Sequence, residues 1–128
     1  MKVLALIYAD EEAWESLPEE ERQATYARYR EFGERGGAKI ADGAELAPTR
    51  AATTVRVRDG EVLVSDGPFA ETKETLGGFY LLECENLDEA IAWARKIPMP
   101  GGKVEVRPVM DYEAAGSGAH SNAAEARR

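Results

Sequence analysis

Cysteine and histidine are almost absent from this chain of 128 residues, which contains one of each. Cys84 has no partner for an internal disulfide, and a structural zinc site is excluded because it needs about four ligands. The lack of disulfides is typical of a reducing compartment, so we expect a cytoplasmic protein. The single histidine, His120, lies near the C-terminus. We expect no metal site and no cofactor.

Long apolar runs and an excess of positive charge are also missing. No segment approaches the roughly 18 consecutive apolar residues of a membrane helix. The 16 Lys and Arg against 24 Asp and Glu give a formal net charge of −8, which argues against binding to a phosphate backbone. We therefore expect neither a membrane nor a nucleic acid as a partner. The Walker loop, the dinucleotide-binding glycine fingerprint and the zinc-protease motif are absent too.

The pattern that is present predicts one domain with the order β-α-β-hairpin-β-α-β. Val3–Ile7 is apolar on both alternating faces, which is typical of a central strand. Ser16 and Glu19 form a capping-box pattern, which predicts a helix that starts there and runs to about Arg35, where Gly36-Gly37 stops it. Asn86 is a cap for a second helix. Further strands are predicted at 39–47, 79–84 and 103–107.

The clearest local signal lies at 54–64. The dipeptide Asp59-Gly60 is typical of a type I′ turn between two alternating strands. This turn pairs Arg58 with Glu61 and places four valines on one face, which we expect to be part of the core: Val55, Val57, Val62 and Val64.

This element order is that of an α+β, ferredoxin-like βαββαβ fold with an inserted β-hairpin and an antiparallel sheet. Both helices then cover one face of the sheet. Because Val3–Ile7 is apolar on both sides, the other face is too apolar for water, and a second copy of the chain is a suitable cover. We therefore predict a homodimer built as a dimeric α+β barrel. The domain is predicted at 1–112, and 113–128 is predicted to be a disordered tail because Ala, Gly and Ser dominate it.

The block S-D-G-P-F-A-E-T-K-E at 65–74, followed by L-G-G-F-Y at 76–80, resembles the signature of the YCII-related proteins, also called DGPF proteins. The strand start at 6–8, the hairpin, L-D-E-A at 87–90 and V-E-V-R-P at 104–108 are similar to that family in the same order. The resemblance implies a dimeric α+β barrel and little chemistry, since most members are uncharacterised. Some members occur beside extracytoplasmic-function sigma factors, so the resemblance also implies a functional link to such a factor.

The same resemblance bears on catalysis. The wider family carries a histidine on the first helix with an acidic residue nearby, proposed as a catalytic dyad. That position falls at about Tyr26 in this chain. A His–Asp mechanism is therefore not available to the folded domain.

Asp66 is the first candidate for a catalytic residue, since an aspartate at a turn beside an enclosed space can act as a general base. The commoner role is structural, in which the side chain caps the amides of Gly67 and Phe69. Tyr26 is the candidate acid, and Tyr8 is a candidate ligand contact. Core packing is the commoner role of both tyrosines.

Basic and apolar side chains complete the candidate ligand-binding set. Arg56, Arg107 and Lys73 suit a carboxylate or phosphate if they face a cleft, and Phe69 is an aromatic candidate beside them. A solvated strand face or loop is the alternative for the charged residues.

Three functions fit these residues. The favoured one is a protein that binds a small organic molecule in a dimer cleft and has a regulatory role linked to sigma factors. The second is a cofactor-free lyase, isomerase or hydrolase with Asp66 as base and Tyr26 as acid. The third is an interaction module that recruits another protein.

Overall fold

The computed structural model describes residues 1–113. Residues 114–128, which make up nearly all of the predicted tail, lie outside the described residues. Short 3-10 turns follow the second helix and precede the hairpin. The helices and strands are, in chain order, β1 (Lys2–Ala9), α1 (Glu11–Glu15), α2 (Glu19–Gly36), β2 (Ile40–Glu45), β3 (Thr53–Arg58), β4 (Glu61–Asp66), β5 (Thr75–Glu83), α3 (Leu87–Ala94) and β6 (Lys103–Pro108).

Four strands form one antiparallel sheet in the order β2-β5-β1-β6. The predicted α+β, ferredoxin-like fold is confirmed, and β1 lies at the centre as its two apolar faces predicted. Val3 and Ala5 of β1 are completely buried together with Leu82 of β5. Phe32 of α2 and Ala90 of α3 belong to the same cluster. The long helices therefore pack on one face of the sheet.

The opposite face of the sheet is apolar in its centre and only partly buried. Leu4 pairs with Leu81 and Leu6 with Phe79, and all four side chains alternate away from the buried cluster. On the neighbouring edge strand, the exposed Arg107 lies opposite Leu4 on this same face. We call this surface, made of Leu4, Leu6, Phe79, Leu81 and Arg107, the open face.

The strands β3 and β4 form a separate two-stranded sheet with the predicted register. The turn at Asp59 and Gly60 has the positive φ angles of a type I′ turn, 51° and 80°. The prediction that the valine face is core is wrong, because Val55, Val57, Val62 and Val64 are 63–70% exposed. The alternating pattern predicts which residues share a face but not what covers that face. Here the hairpin forms a sheet of its own, and its valine face stays exposed to solvent.

The second helix does not begin with the predicted capping box. Asp10 instead caps the short helix α1 by accepting hydrogen bonds from the amides of Glu12 and Ala13. Ser16 ends that helix, and α2 begins after Pro18 without a side-chain cap. The Asn86 cap of α3 is confirmed, with a hydrogen bond of 2.9 Å from the amide of Glu89.

Among the helices of residues 1–113, none combines the length and the apolar character needed to cross a membrane.

Candidate functional site

A cleft of about 1200 Å³ lies between helices α1 and α2 and the ends of strands β1, β2 and β5. Its aromatic lining includes Trp14, Tyr26, Tyr29 and Tyr80, and Glu45 lies among them. We call it the aromatic cleft. It is formed within one chain and lies on the helix side of the sheet.

The local structure explains why these rings meet. Tyr26 and Tyr29 are three residues apart on α2 and therefore share one side of the helix. The Asp10 cap fixes the start of α1, which carries Trp14 to within 5.4 Å of the Tyr26 ring in an edge-to-face contact. Tyr80 reaches the cleft from β5 and packs its other side on Phe32, with ring centres 5.1 Å apart.

Tyr26 and Glu45 form the polar contact of the cleft. The Tyr26 hydroxyl donates a hydrogen bond of 3.2 Å to the Glu45 carboxylate. Glu45 lies on the helix side of the sheet because it pairs with Gly78, two residues before Tyr80 on β5. Burial raises the pKa of Tyr26, and the charge of Glu45 adds to that effect. Tyr26 is therefore a neutral donor at physiological pH.

The other two phenols are also neutral hydrogen-bond donors. Burial raises the pKa of Tyr29 to about 12, with smaller contributions from Tyr80 and Glu45. Burial likewise raises the pKa of Tyr80. Among residues 1–113, neither hydroxyl has a hydrogen-bond partner in the protein. Both can therefore donate to an oxygen atom of a bound molecule.

Thr75 supplies another unsatisfied polar group at the cleft. It lines the cleft at the start of β5, where it pairs with Ala9 of β1. Its hydroxyl oxygen is buried and has no hydrogen-bond partner within the described chain. Buried polar atoms are normally hydrogen-bonded, so an orphan hydroxyl beside a cavity calls for an explanation.

The charged lining is mostly acidic. Two of its carboxylates have cation partners, since Glu15 pairs with Arg50 and Glu74 with Lys103, at 2.9 and 2.8 Å. Within residues 1–113, Glu45 has no cation partner, and its hydrogen bond comes from a neutral phenol. Its negative charge therefore remains available to the cleft. No three Asp, Glu, His or Cys residues of this part of the chain form a group that could hold a metal ion.

The rim of the cleft is held by contacts between α1 and the loop after β2. The Glu11 carboxylate accepts 2.7 and 2.8 Å hydrogen bonds from the Thr49 amide and hydroxyl. Because Glu11 and Trp14 share the short helix α1, this contact also fixes the Trp14 wall relative to the loop.

The YCII-related domain family matches residues 1–113 of this sequence. The chain belongs to the YCII-related family. It is 44% identical over 124 residues to the uncharacterized protein R00369 of Rhizobium meliloti (strain 1021), covering 88% of this chain and 95% of that protein. The resemblance drawn from the D-G-P-F block is thus confirmed.

A solved structure has a similar fold. It is 5-chloro-2-hydroxyhydroquinone dehydrochlorinase (TftG) from Burkholderia phenoliruptrix AC1100, in complex with 2,5-dihydroxybenzoquinone. The TM-score is 0.52 with 19% sequence identity, and the match covers 89% of this chain and 98% of that one. At this identity the likeness shows a common α+β fold only.

The aromatic cleft of this YCII-related chain contains two of the residues predicted from sequence, Tyr26 and Lys73. Tyr8 lies elsewhere, in a shallow depression of about 270 Å³ beside Lys103 and Glu105. Asp66 ends β4, is exposed and is not part of the cleft lining. The structure therefore does not bring Asp66 and Tyr26 together within one protomer.

The remaining predicted residues lie on three different surfaces. Arg56 is exposed on the hairpin, Arg107 lies on the open face, and Phe69 is 80% exposed after β4. The capping alternative for Asp66 is not observed either. Its carboxylate has no hydrogen bond from the turn amides in the described chain, and the Gly67 amide donates instead to Ala52 O at 2.7 Å.

Sequence reasoning missed Glu45 and the partners of Tyr26 in the cleft. Glu45 ends a weakly patterned strand, and no motif links it to Tyr26, which is 19 residues away. The only available signal was the three-residue spacing of Tyr26 and Tyr29, which places two phenols on one side of α2.

Proposed function

We propose that this YCII-related chain binds a small, flat organic molecule with oxygen substituents in the aromatic cleft of one protomer. The observation that carries the proposal is the Tyr26–Glu45 hydrogen bond inside a cleft walled by Trp14, Tyr29 and Tyr80. This pair offers a donor and a charged acceptor within an apolar wall. Such a combination is typical of small-molecule sites.

The shape and chemistry of the lining favour a ring with hydroxyl or carbonyl groups. Aromatic side chains provide stacking and edge contacts for a planar ligand. The neutral hydroxyls of Tyr29 and Tyr80 can donate to its oxygen atoms, and Glu45 can accept from its hydroxyl group. A ligand oxygen near the start of β5 would also satisfy the buried hydroxyl of Thr75.

The size of the cleft is compatible with this proposal. Ligand pockets are commonly about 300–1000 Å³, and the aromatic cleft is somewhat larger at about 1200 Å³. A single ring would leave space for further substituents. Because Glu45 is negative and has no cation partner in the described chain, an anionic ring should bind less well than a neutral one.

A cofactor-free enzyme is the second candidate, and the Tyr26–Glu45 pair favours it. A carboxylate beside a phenol can accept a proton from a ligand while the phenol donates to a developing oxyanion. The solved structure with a similar fold is named a dehydrochlorinase and holds a hydroxylated quinone. In this candidate Tyr26 keeps its role as acid, and Glu45 replaces Asp66 as base.

The proposal includes a homodimer and a regulatory role. The apolar centre of the open face supports the homodimer, since a second copy would remove Leu4, Leu6, Phe79 and Leu81 from water. The regulatory role, with a link to an extracytoplasmic-function sigma factor, rests on the family resemblance alone.

A thermal-shift screen tests the binding proposal. Neutral hydroxylated rings such as catechol, hydroquinone and their quinones are compared with benzoate, because any ligand that prefers the folded state raises the melting temperature. We expect a rise with the neutral rings, loss of that rise in Trp14→Ala, and no loss in Phe69→Ala, which lies outside the cleft. A panel without any shift, or an equal loss in both variants, would refute the proposal. Incubating each binding ligand with the protein and following its absorbance then separates an enzyme from a binding protein.

A further inference from the structure

We propose that the valine face of the β3–β4 hairpin docks on a second copy of this chain and is covered by that copy's open face. This goes beyond ligand binding in the cleft and rests on the proposed homodimer, whose contact surface it names. The valine face consists of Val55, Val57, Val62 and Val64, with Asp66 at its base.

The first observation is the asymmetry of the hairpin. Its four valines share one face and are 63–70% exposed. The other face carries three charged residues and one leucine, as the register requires: Arg56, Arg58, Glu61 and Leu63. A ribbon with one apolar and one mainly charged face is suited to cover an apolar surface, since scattered exposed residues would not alternate in this way.

The second observation is that the hairpin has little support within its own chain. Its base is held by the Gly67 amide bonded to Ala52 O and by the Thr54 hydroxyl bonded to Gly67 O, both at 2.7 Å. All residues from Val55 to Asp66 are exposed. An isolated two-stranded hairpin is marginally stable in water at best. A partner surface on the valine face would supply the missing burial.

The area required identifies the second surface. A stable dimer buries about 800 Å² on each subunit, which four valine side chains cannot supply alone. Outside the aromatic cleft, the open face is a partly exposed apolar surface of the main sheet, and the exposed hairpin of the same chain does not cover it. A two-fold axis would pair each hairpin with the partner's open face and join both contacts in one interface.

Charge complementarity supports the same pairing. Asp66 lies at the base of the valine face, and Arg107 lies on the open face. Both are exposed, and neither has an ion-pair partner within residues 1–113. When valines cover the apolar centre, Asp66 can approach the partner copy's Arg107, which lies beside Glu105 on the mixed-charge edge strand of the open face. Opposite charges at such positions fix the orientation of two subunits. This gives Asp66 a role in assembly.

Sedimentation of the full chain at micromolar concentration tests the inference. We expect the wild type to be a dimer, and the double substitution Val62→Thr with Val64→Thr to weaken it by at least about tenfold. Threonine keeps the shape and strand preference of valine but not its apolar character. The matched control is Leu63→Thr, which changes the residue between them on the opposite face and should leave the dimer constant within about twofold. Far-UV circular dichroism checks that each variant is folded.

A charge exchange gives a second measurement on variants that keep all four valines. Asp66→Arg alone should weaken the dimer, and adding Arg107→Asp should restore most of the loss. A monomeric wild type would remove both the homodimer and this surface. A dimeric wild type that is unaffected by the valine substitutions, or that is equally weakened by Leu63→Thr, would overturn the surface alone. Ligand binding in the aromatic cleft is measured separately and does not depend on either result.

Discussion

The Tyr26 hydroxyl on α2 lies 3.2 Å from the Glu45 carboxylate on β2, so one hydrogen bond joins the helix layer to the sheet across the aromatic cleft. The bond lies near solvent and contributes little to folding, because an exposed hydrogen bond exchanges easily with water. In the proposed ligand site, this bond would hold a phenol and a carboxylate in a fixed relation before a ligand enters, which reduces the ordering cost of binding.

Replacing either member of this pair should weaken ligand binding. Tyr26→Phe and Glu45→Gln each remove one polar contact worth about 1–2 kcal/mol, or roughly a 5–30-fold loss in affinity for a hydroxylated ring. The melting temperature without ligand should change little. Isothermal titration with the best ligand of the screen measures the effect. The matched control is Tyr8→Phe, which removes the same hydroxyl group on the other side of the sheet.

Equal affinities of Tyr26→Phe, Glu45→Gln and wild type would show that the ligand binds elsewhere. If only Glu45→Gln weakens binding, the carboxylate is the contact and Tyr26 only positions it.

Much of the fold could be predicted from the sequence, because periodicity and turn chemistry are local. The two apolar faces of Val3–Ile7 placed β1 at the centre, and the Asp59-Gly60 turn fixed the hairpin register residue by residue. The exposure of the hairpin could not be predicted in this way. The alternating pattern predicts that four valines share a face, but which surface packs against that face depends on tertiary structure.

The composition of the aromatic cleft could be predicted only in part, because its residues come from distant parts of the sequence. Tyr26 was identified through a family position, but Glu45 is one of 24 acidic residues in the chain and carries no motif. The two meet only because the α2–β2 connection returns the chain to the sheet edge beside the helix. The predicted capping box of α2 was also wrong for a local reason. Ser16 ends the short helix α1, which Asp10 caps, and α2 begins after Pro18 without a side-chain cap.

The contact between Glu11 and Thr49 should contribute to stability. The Glu11 carboxylate is part-buried and accepts two hydrogen bonds from Thr49 in the loop after β2. Glu11→Ala leaves the Thr49 amide without its partner, and we expect a loss of about 1–3 kcal/mol in the free energy of unfolding. Urea denaturation measures the loss. Glu12→Ala is the control, since this neighbouring glutamate is exposed on the same helix turn. Similar losses for the two variants would contradict a specific role of the Glu11 contact.

Two adjacent glycines before β6 should differ sharply on substitution. Gly102 has a φ of +100°, and a Cβ atom there would collide with the carbonyl oxygen of Tyr8. Gly101 has open space at the corresponding position. We expect Gly102→Ala to lower the free energy of unfolding by more than about 2 kcal/mol, because both backbone strain and a backbone contact oppose it. Gly101→Ala should stay within about 1 kcal/mol of wild type. Denaturant unfolding measures the free energy of unfolding of both variants under the same conditions. Equal values would contradict the described path of the chain between α3 and β6.

Tyr29 should make the fold sensitive to alkaline pH. Burial raises its pKa to about 12 in the folded chain, whereas an unfolded tyrosine ionises near 10. Below about pH 10 both states hold the proton, and the contribution of Tyr29 to stability is fully present. Between about pH 10 and 12 unfolding releases a proton, so the free energy of unfolding falls as the pH rises.

Tyr29→Phe removes this titration and should make the decline in stability over that pH range less steep. The decline should not vanish, because burial also raises the pKa values of Tyr26 and Tyr80, and these phenols act in the same direction. Urea denaturation at a series of alkaline pH values measures the slope, and the ultraviolet absorbance of phenolate follows the ionisation itself. A slope identical to that of wild type would mean that the Tyr29 hydroxyl is as well hydrated in the folded protein as in the unfolded chain. The half-buried phenol would then not be the neutral donor on which the proposed ligand contacts depend.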